Sequence, residues 1–119
     1  MAGYNIHAER IVDGDASTLT VLTLYEAGST TTRTLLATEV FHITDVLIID
    51  GEAADIALVA DSAAGGRYIV FAESAAGVPI IVHFNNPYVC PRGVIPKFSG
   101  GSGQGKRSMC VLQGFIREA

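Results

Sequence analysis

Short apolar runs recur along this chain and are separated by clusters of Gly, Ser, Asp and Asn. Val, Ile, Thr, Tyr and Phe dominate the runs, and no segment holds a helical period over the roughly eleven residues that a helix needs. This pattern is typical of an all-β sandwich or barrel, and it predicts about eight strands. The predicted strands are Ser17 to Tyr25, Arg33 to Ala37, Val40 to Ile49, Ile56 to Ala60, Arg67 to Ala72, Val78 to Phe84, Val94 to Phe98 and Met109 to Ile116.

The clearest alternation lies in the run GVPIIVHFN at residues 77–85. Successive side chains of a strand point to opposite faces, so Val78, Ile80, Val82 and Phe84 share one face. We expect that face to lie in the core of the sandwich.

Two other runs change their apolar phase part of the way along. In LTVLTLY the phase changes between Val21 and Leu22, and in VFHITDVLII it changes between Ile43 and Val46. Such changes indicate β-bulges, or strands that are apolar on both faces because another subunit covers the outer face.

The first sixteen residues carry little apolar pattern, because charged residues interrupt the spacing. We predict an N-terminal arm at residues 1–16 and a single β-sandwich domain at residues 17–119. An arm of this kind is unstructured, exchanges with a neighbouring subunit or binds a partner. The side chains of the arm that we expect to contact a partner are Tyr4, Ile6, Ile11 and Val12.

Composition adds an expectation about assembly. Hydrophobic residues make up 49% of the 119 residues, and charged residues make up only 17%. A single core of this size does not hold that much apolar surface, so we expect burial against other copies of the chain or against a partner. No apolar run approaches the roughly twenty residues that span a bilayer, and we expect no membrane partner.

The charge balance bears on the class of partner. A net charge of −4 argues against nucleic acid, because a surface that neutralises phosphates needs clustered Lys and Arg. The N-terminal stretch lacks the basic and apolar regions of a secretory signal, so we expect synthesis in the cytoplasm.

The stretch GGSGQGKR at residues 100–107 differs by one residue from a nucleotide-binding P-loop. Arg107 stands where that motif requires the hydroxyl group that ligates Mg²⁺. We therefore interpret the stretch as a flexible hairpin loop with Lys106 and Arg107 at its solvated tip.

The two cysteines, Cys90 and Cys110, flank this loop at equal distances from Gly100. A hairpin centred there places them on facing strands, where a disulfide is possible. In a reducing cytosol we expect free thiols.

Candidate chemistry is sparse. His7, His42 and His83 lack the spacing of a metal site on one element, although His42 and His83 could meet across a sheet. Asp50-Gly51 is a turn signal rather than a calcium loop. No Ser or Cys stands in a recognisable nucleophile motif. We expect no enzyme, no metal and no cofactor.

From Phe41 onward the order of features is FHITDVLIID, then GGRY, then GVPIIVHFNNPYVCPRGV, a glycine-rich stretch and a closing strand that ends in LQGFI. This order resembles the small jelly-roll proteins that tailed-phage particles carry as capsid decoration, cement or head-fibre domains. The resemblance implies a jelly-roll-like antiparallel β-sandwich that forms a homotrimer. It also implies binding to an assembled shell of major capsid protein, stabilisation of that shell without an active site, and a place on the virion surface.

Two alternatives belong to other classes. The first is a carbohydrate- or receptor-binding β-sandwich module, which commonly presents an exposed aromatic platform. Trp is absent, and Tyr25, Tyr68 and Tyr88 are the expected surface rings. The second is a cupin-like metal sandwich, which needs clustered His and Glu ligands. Of the three classes considered, the sequence favours the cupin-like metal sandwich least.

The first prediction concerns the glycine-rich stretch. Thermal unfolding with and without Mg-ATP is expected to give the same melting temperature, because the hydroxyl ligand for Mg²⁺ is replaced by Arg107. A ligand that binds the native state raises the melting temperature. A clear rise with Mg-ATP would contradict our interpretation.

Overall fold

The computed structural model describes residues 4–60, 67–103 and 106–118. These residues form nine strands and no helix. In chain order the strands are β1 (Tyr4–Asp13), β2 (Thr20–Val21), β3 (Thr23–Glu26), β4 (Glu39–Asp50), β5 (Ala54–Val59), β6 (Tyr68–Ser74), β7 (Ile80–Val89), β8 (Lys97–Ser99) and β9 (Arg107–Glu118).

The strands form two antiparallel sheets. The five-stranded sheet has the order β3-β1-β9-β4-β7, and the four-stranded sheet has the order β2-β8-β5-β6. β1 pairs with β9, β2 with β8, β4 with β7, and β5 with β6. Nested pairing of this kind is the topology of a jelly roll, with β3 added at one edge. The prediction of an all-β, jelly-roll-like antiparallel sandwich is therefore confirmed.

The core lies between the two sheets. Phe41 from the five-stranded sheet and Phe98 from the four-stranded sheet are both fully buried there. Ile80, Val82 and Phe84 of β7 pack against this core, as their alternation predicts. The same prediction is wrong for Val78, which precedes β7 and is 53% exposed. The remaining buried apolar side chains come from β1, β3, β4, β5, β9 and the connections, and they include Ile6, Leu22, Leu24, Ile43, Val46, Ile48, Ile56, Leu58, Leu112 and Ile116.

Both predicted changes of phase correspond to features of the fold. In β4 the register shifts between Ile43 and Asp45 against both neighbouring strands, so that Thr44 is an extra residue. At Leu22 the chain leaves the four-stranded sheet and enters the five-stranded one. The first change of phase is a β-bulge and the second is a change of sheet.

Gly114 of β9 lies opposite this bulge. A Cβ atom at position 114 would overlap the backbone carbonyl oxygen of His42 and press on the ring of Phe41. Only glycine therefore permits the close approach of β4 and β9 at this point.

The predicted N-terminal arm is corrected over its described part. Residues Tyr4–Asp13 are β1, which pairs along its whole length with β9 and at Ile6–Glu9 with β3. The sandwich thus includes residues that we had assigned to the arm, and its boundary at residue 17 is wrong. Residues 1–3 lie outside the described residues. Arg10 interrupts the apolar pattern of β1 at a position opposite the buried Cys110. Its guanidinium group donates hydrogen bonds there to the carbonyl oxygens of Thr18 and Phe98.

The glycine-rich stretch is not a hairpin loop. It carries the chain from β8 in one sheet to β9 in the other, and Gly100 and Gly101 are buried. The backbone N–H of Gly101 donates to Oδ2 of Asp50 at 2.7 Å, and that of Glu52 donates to Oδ1 at 3.0 Å. The predicted turn at Asp50-Gly51 is confirmed between β4 and β5. Gln104 and Gly105 lie outside the described residues.

The strand predicted at Arg33 to Ala37 is wrong, because this segment is a connection held by an ion pair. Glu39 is only 4% exposed, and its carboxylate accepts from Nη2 of Arg33 at 2.7 Å and from the backbone N–H of Leu36 at 2.9 Å. The hydrogen bond from Arg33 is the main cause that lowers the pKa of Glu39. The ion pair therefore fixes the path of the connection into β4.

The second prediction tests this ion pair. Glu39→Gln is expected to lower the free energy of unfolding by roughly 3 kcal/mol at pH 7, because it replaces the buried carboxylate that pairs with Arg33 by a neutral amide. Because the pKa of folded Glu39 is depressed, its contribution is complete above the unfolded pKa of about 4.3 and is lost as the pH falls through the folded pKa. The difference from the wild type should therefore shrink in acid.

Urea unfolding at several pH values measures this difference. Glu73→Gln is the matched control, because Glu73 is exposed on β6, and it should change stability little. Equal stability of the wild type and Glu39→Gln at pH 7, or a difference that grows in acid, would show that the ion pair does not hold the connection.

Candidate functional site

The outer face of the five-stranded sheet is the candidate functional surface. β9 runs through the middle of this sheet, and its even-numbered residues Ser108, Cys110, Leu112 and Ile116 are buried. Its odd-numbered side chains therefore point outward. The register with β1 and β4, and from β4 to β7, places outward side chains in rows across the sheet.

Two neighbouring rows form an apolar patch. Ile11, Met109 and Ile49 make one row, and Val111, Leu47 and Ile81 make the next, which Glu9 of β1 continues at the rim of the patch. Ile81 is 74% exposed, Ile11 is 48% exposed, and the other four are half-buried. The strands β4 and β9 are thus apolar on both faces here, and for β4 this agrees with the second interpretation of its change of phase.

An ion pair closes one end of the apolar patch. Nε of Arg107 donates to Oδ1 of Asp13 at 2.7 Å on the adjacent strand. This hydrogen bond lowers the pKa of Asp13 and raises the pKa of Arg107. Both side chains are exposed, so the pair marks the rim of the patch and contributes little to stability.

A polar row borders the other end of the patch. It contains His7, Gln113, Asp45 and His83 on four adjacent strands. Nδ1 of His83 lies 2.7 Å from Oδ1 of Asp45, and this hydrogen bond is the main cause that lowers the pKa of Asp45. The row therefore separates the apolar patch from the remaining end of the face.

The row beyond it is aromatic. His42 and Phe115 stack with ring centroids 4.7 Å apart, and the guanidinium carbon of Arg117 lies 4.8 Å from the centroid of Phe115. Burial lowers the pKa of His42, and the positive charge of Arg117 lowers it further.

All three histidines lie on this face, but they do not converge. His42 is opposite Val89 in the register, whereas His83 is opposite Asp45. Among residues 4–60, 67–103 and 106–118, no group of three His, Cys, Asp or Glu side chains could hold a metal ion.

A depression of about 610 Å³ opens beside the aromatic row. Sequence reasoning missed it, because it combines β1 and β9 with the turn after β3. Thr44 lines it from the bulge, and its Oγ1 donates to the carbonyl oxygen of Gln113 at 3.1 Å. The phase change between Ile43 and Val46 was the signal available for this part. The lining consists of Asn5, Ile6, His7, residues 27–30, Thr44, Gln113, Gly114 and Phe115.

The residues that we expected to contact a partner have different positions. Ile6 is 1% exposed and belongs to the core, so its assignment as a partner contact is corrected. Ile11 is part of the apolar patch, and Val12 is half-buried. Tyr4 is the first residue of β1.

The two cysteines do not face each other. Cys110 pairs in register with Arg10 and Ile48, whereas Cys90 follows β7 and donates its backbone N–H to the carbonyl oxygen of Phe41. The predicted hairpin fails because β8 and β9 belong to different sheets. Both thiols are free and buried, and burial raises the pKa of each to about 12.

A second exposed apolar feature lies on the other sheet. Tyr68 and Phe71 of the edge strand β6 form a T-shaped pair with ring centroids 5.2 Å apart, and both are more than 60% exposed. Of the other rings expected at the surface, Tyr25 and Tyr88 are half-buried.

Comparison with protein-family models, with curated proteins and with solved structures finds no match to this chain. Within the described residues, no helix has the length and apolar character required to cross a membrane.

The third prediction concerns the thiols. A thiol reagent at pH 8 is expected to label neither Cys90 nor Cys110 in the folded protein, because burial excludes the reagent and disfavours the reactive thiolate. In denaturant without reductant the same assay should count two thiols per chain. Rapid labelling of the folded protein, or no thiols in denaturant, would contradict two buried free cysteines.

Proposed function

We propose that this chain is a non-catalytic structural protein of a phage, which forms a homotrimer and decorates an assembled shell of major capsid protein on the virion surface. The observation that carries the proposal is the apolar patch on the outer face of the five-stranded sheet. The resemblance of the segment from Phe41 onward to jelly-roll decoration proteins supplies the class of shell.

A second copy of the chain is the occupant that best fits the apolar patch. Subunits related by a symmetry axis bring the same residues together near that axis. Charged residues would repel their own counterparts there, whereas apolar residues exclude water together. The six side chains of the patch carry no charge, and the neighbouring charged residues, Glu9 and the ion pair of Asp13 with Arg107, lie at its rim.

The shell must be bound by another surface of the subunit, because the apolar patch is occupied in the proposed trimer. We assign this contact to Tyr68 and Phe71 on β6. They lie on the opposite sheet, and both rings are exposed. Large aromatic side chains of this kind frequently carry most of the binding energy of an interface. This assignment replaces the earlier one, in which the N-terminal arm contacts the shell, because the described part of that arm forms β1.

The polar row supports a structural rather than a catalytic role. His83 and Asp45 form a hydrogen-bonded pair, but the row that contains them offers the imidazole no serine or cysteine nucleophile. The pair instead places hydrogen-bonding groups at the edge of the apolar patch, as in the polar rim of an interface.

The fourth prediction tests the assembly. The wild-type protein is expected to have the mass of a trimer at micromolar concentration in size exclusion coupled to light scattering. Ile81→Lys should give monomers, because it places a charge in the patch of every subunit. The side chain of Ile81 is already 74% exposed, so this change should not disturb the fold. Leu36→Lys is the matched control, since Leu36 is exposed outside the patch.

A monomeric wild type, or a trimer that survives Ile81→Lys, would overturn the assembly. Co-sedimentation with empty shells of the major capsid protein from the same phage tests the decoration. The wild type should sediment with the shells, and Phe71→Ala should sediment less. A trimer that does not sediment with the shells would refute the decorating role, but it would not contradict the proposed trimeric assembly.

A further inference from the structure

The depression beside Phe115 has the lining of a binding site for a small polar molecule. Its volume of about 610 Å³ falls within the range of roughly 300–1,000 Å³ that ligand sites occupy. We infer that it binds a neutral saccharide of one or two rings. This inference is independent of the proposed assembly, because the depression and the apolar patch share no residue.

Two side-chain amides provide the central hydrogen-bonding groups. Asn5 lies opposite Phe115 in the register, and Gln113 lies opposite His7, so the two amides are diagonal neighbours on β1 and β9. Among the described residues, neither side-chain amide has a hydrogen-bond partner. An amide both donates and accepts, which suits the adjacent hydroxyl groups of a sugar.

The turn after β3 adds hydroxyl groups from the opposite wall. Ser29 and Thr30 line the depression there, and Gly28 adopts a positive φ of 75° in the turn. Backbone hydrogen bonds join Glu26 to Thr31 and Ala27 to Asn5, so the turn is tied to β1. The hydroxyl groups are thus positioned before a ligand binds, which lowers the entropic cost of binding.

The ring of Phe115 supplies the apolar part of the lining. Its orientation is held by the stack with His42 at 4.7 Å and by the guanidinium group of Arg117 at 4.8 Å. Sugar-binding sites commonly combine an aromatic ring with amide and hydroxyl groups, because a sugar has both an apolar and a polar side.

The charge of the lining selects the class of saccharide. No Asp, Glu, Lys or Arg of the described residues lines the depression. An acidic sugar would lose its hydration there without contacting a lining Lys or Arg, since Arg117 lies against the ring of Phe115 and outside the lining, and a phosphate would lose more. The neutral class is therefore favoured over sialylated, uronic or phosphorylated sugars.

The fifth prediction is tested on the full-length protein with an array of neutral and acidic glycans at pH 7.4. The wild type is expected to bind neutral glycans. The double variant Asn5→Ala, Gln113→Ala should bind them roughly tenfold more weakly or not at all. Asn85→Ala is the matched control, because Asn85 is an exposed amide outside the depression, and it should bind like the wild type.

Amide chemical shifts of the wild type, recorded with the best-binding neutral glycan, locate the site without any variant. Shifts should change at Asn5, at residues 28–30 and at Gln113. No binding on the array, binding confined to acidic glycans, or shift changes centred elsewhere would overturn the inference. Ile81→Lys should retain glycan binding, so failure of the assembly and failure of this site give different results.

Discussion

The close approach of β4 to β9 at Gly114 is the constraint on which the five-stranded sheet depends. Because position 114 lacks a side chain, the carbonyl group of His42 lies against it, and β4 accommodates the extra residue Thr44. A shift of one residue in register moves every later side chain to the other face. The bulge therefore lets Ile43 and Val46 share the core although three positions separate them, and it decides which side chains of β4 reach the outer face.

A buried carboxyl group secures the crossing of the chain between the sheets. Asp50 is fully buried, and its carboxyl oxygens accept hydrogen bonds from the backbone N–H groups of Gly101 and Glu52. These hydrogen bonds offset the free-energy cost of removing the carboxyl group from water. A Cβ atom at Gly100 would lie 2.7 Å from Oδ2 of Asp50, so the glycines permit this approach. Glycine-rich backbone is suited to receive an anion. Here the acceptor is a carboxyl group of the same chain, which explains a stretch that looks like a phosphate cradle in the sequence.

The sequence was sufficient for the fold class and for most strands, because alternation and turn residues are local signals. It failed where pairing is distant. β1 was missed because Arg10 occupies an inward position of the strand, where its partners are carbonyl oxygens from other segments. The prediction that the two cysteines face each other was wrong, because a symmetric spacing around Gly100 does not reveal that the chain changes sheet there. The change of phase near Thr44 did predict the bulge, but not the depression, whose walls come from residues more than 80 positions apart, such as Asn5 and Gln113.

The division of one sheet face into two parts follows from the same bulge. On the side of the patch, Leu47 and Ile49 continue the outward alternation and meet the apolar residues of β9. On the other side, Thr44 and His42 stand beside Gln113 and Phe115, where hydrogen-bonding groups replace apolar ones. A trimer held by the patch would leave three depressions at its periphery. Several weak saccharide sites on one particle act together through their high local concentration, so in the proposed assembly a shallow neutral site would gain avidity without any further contact.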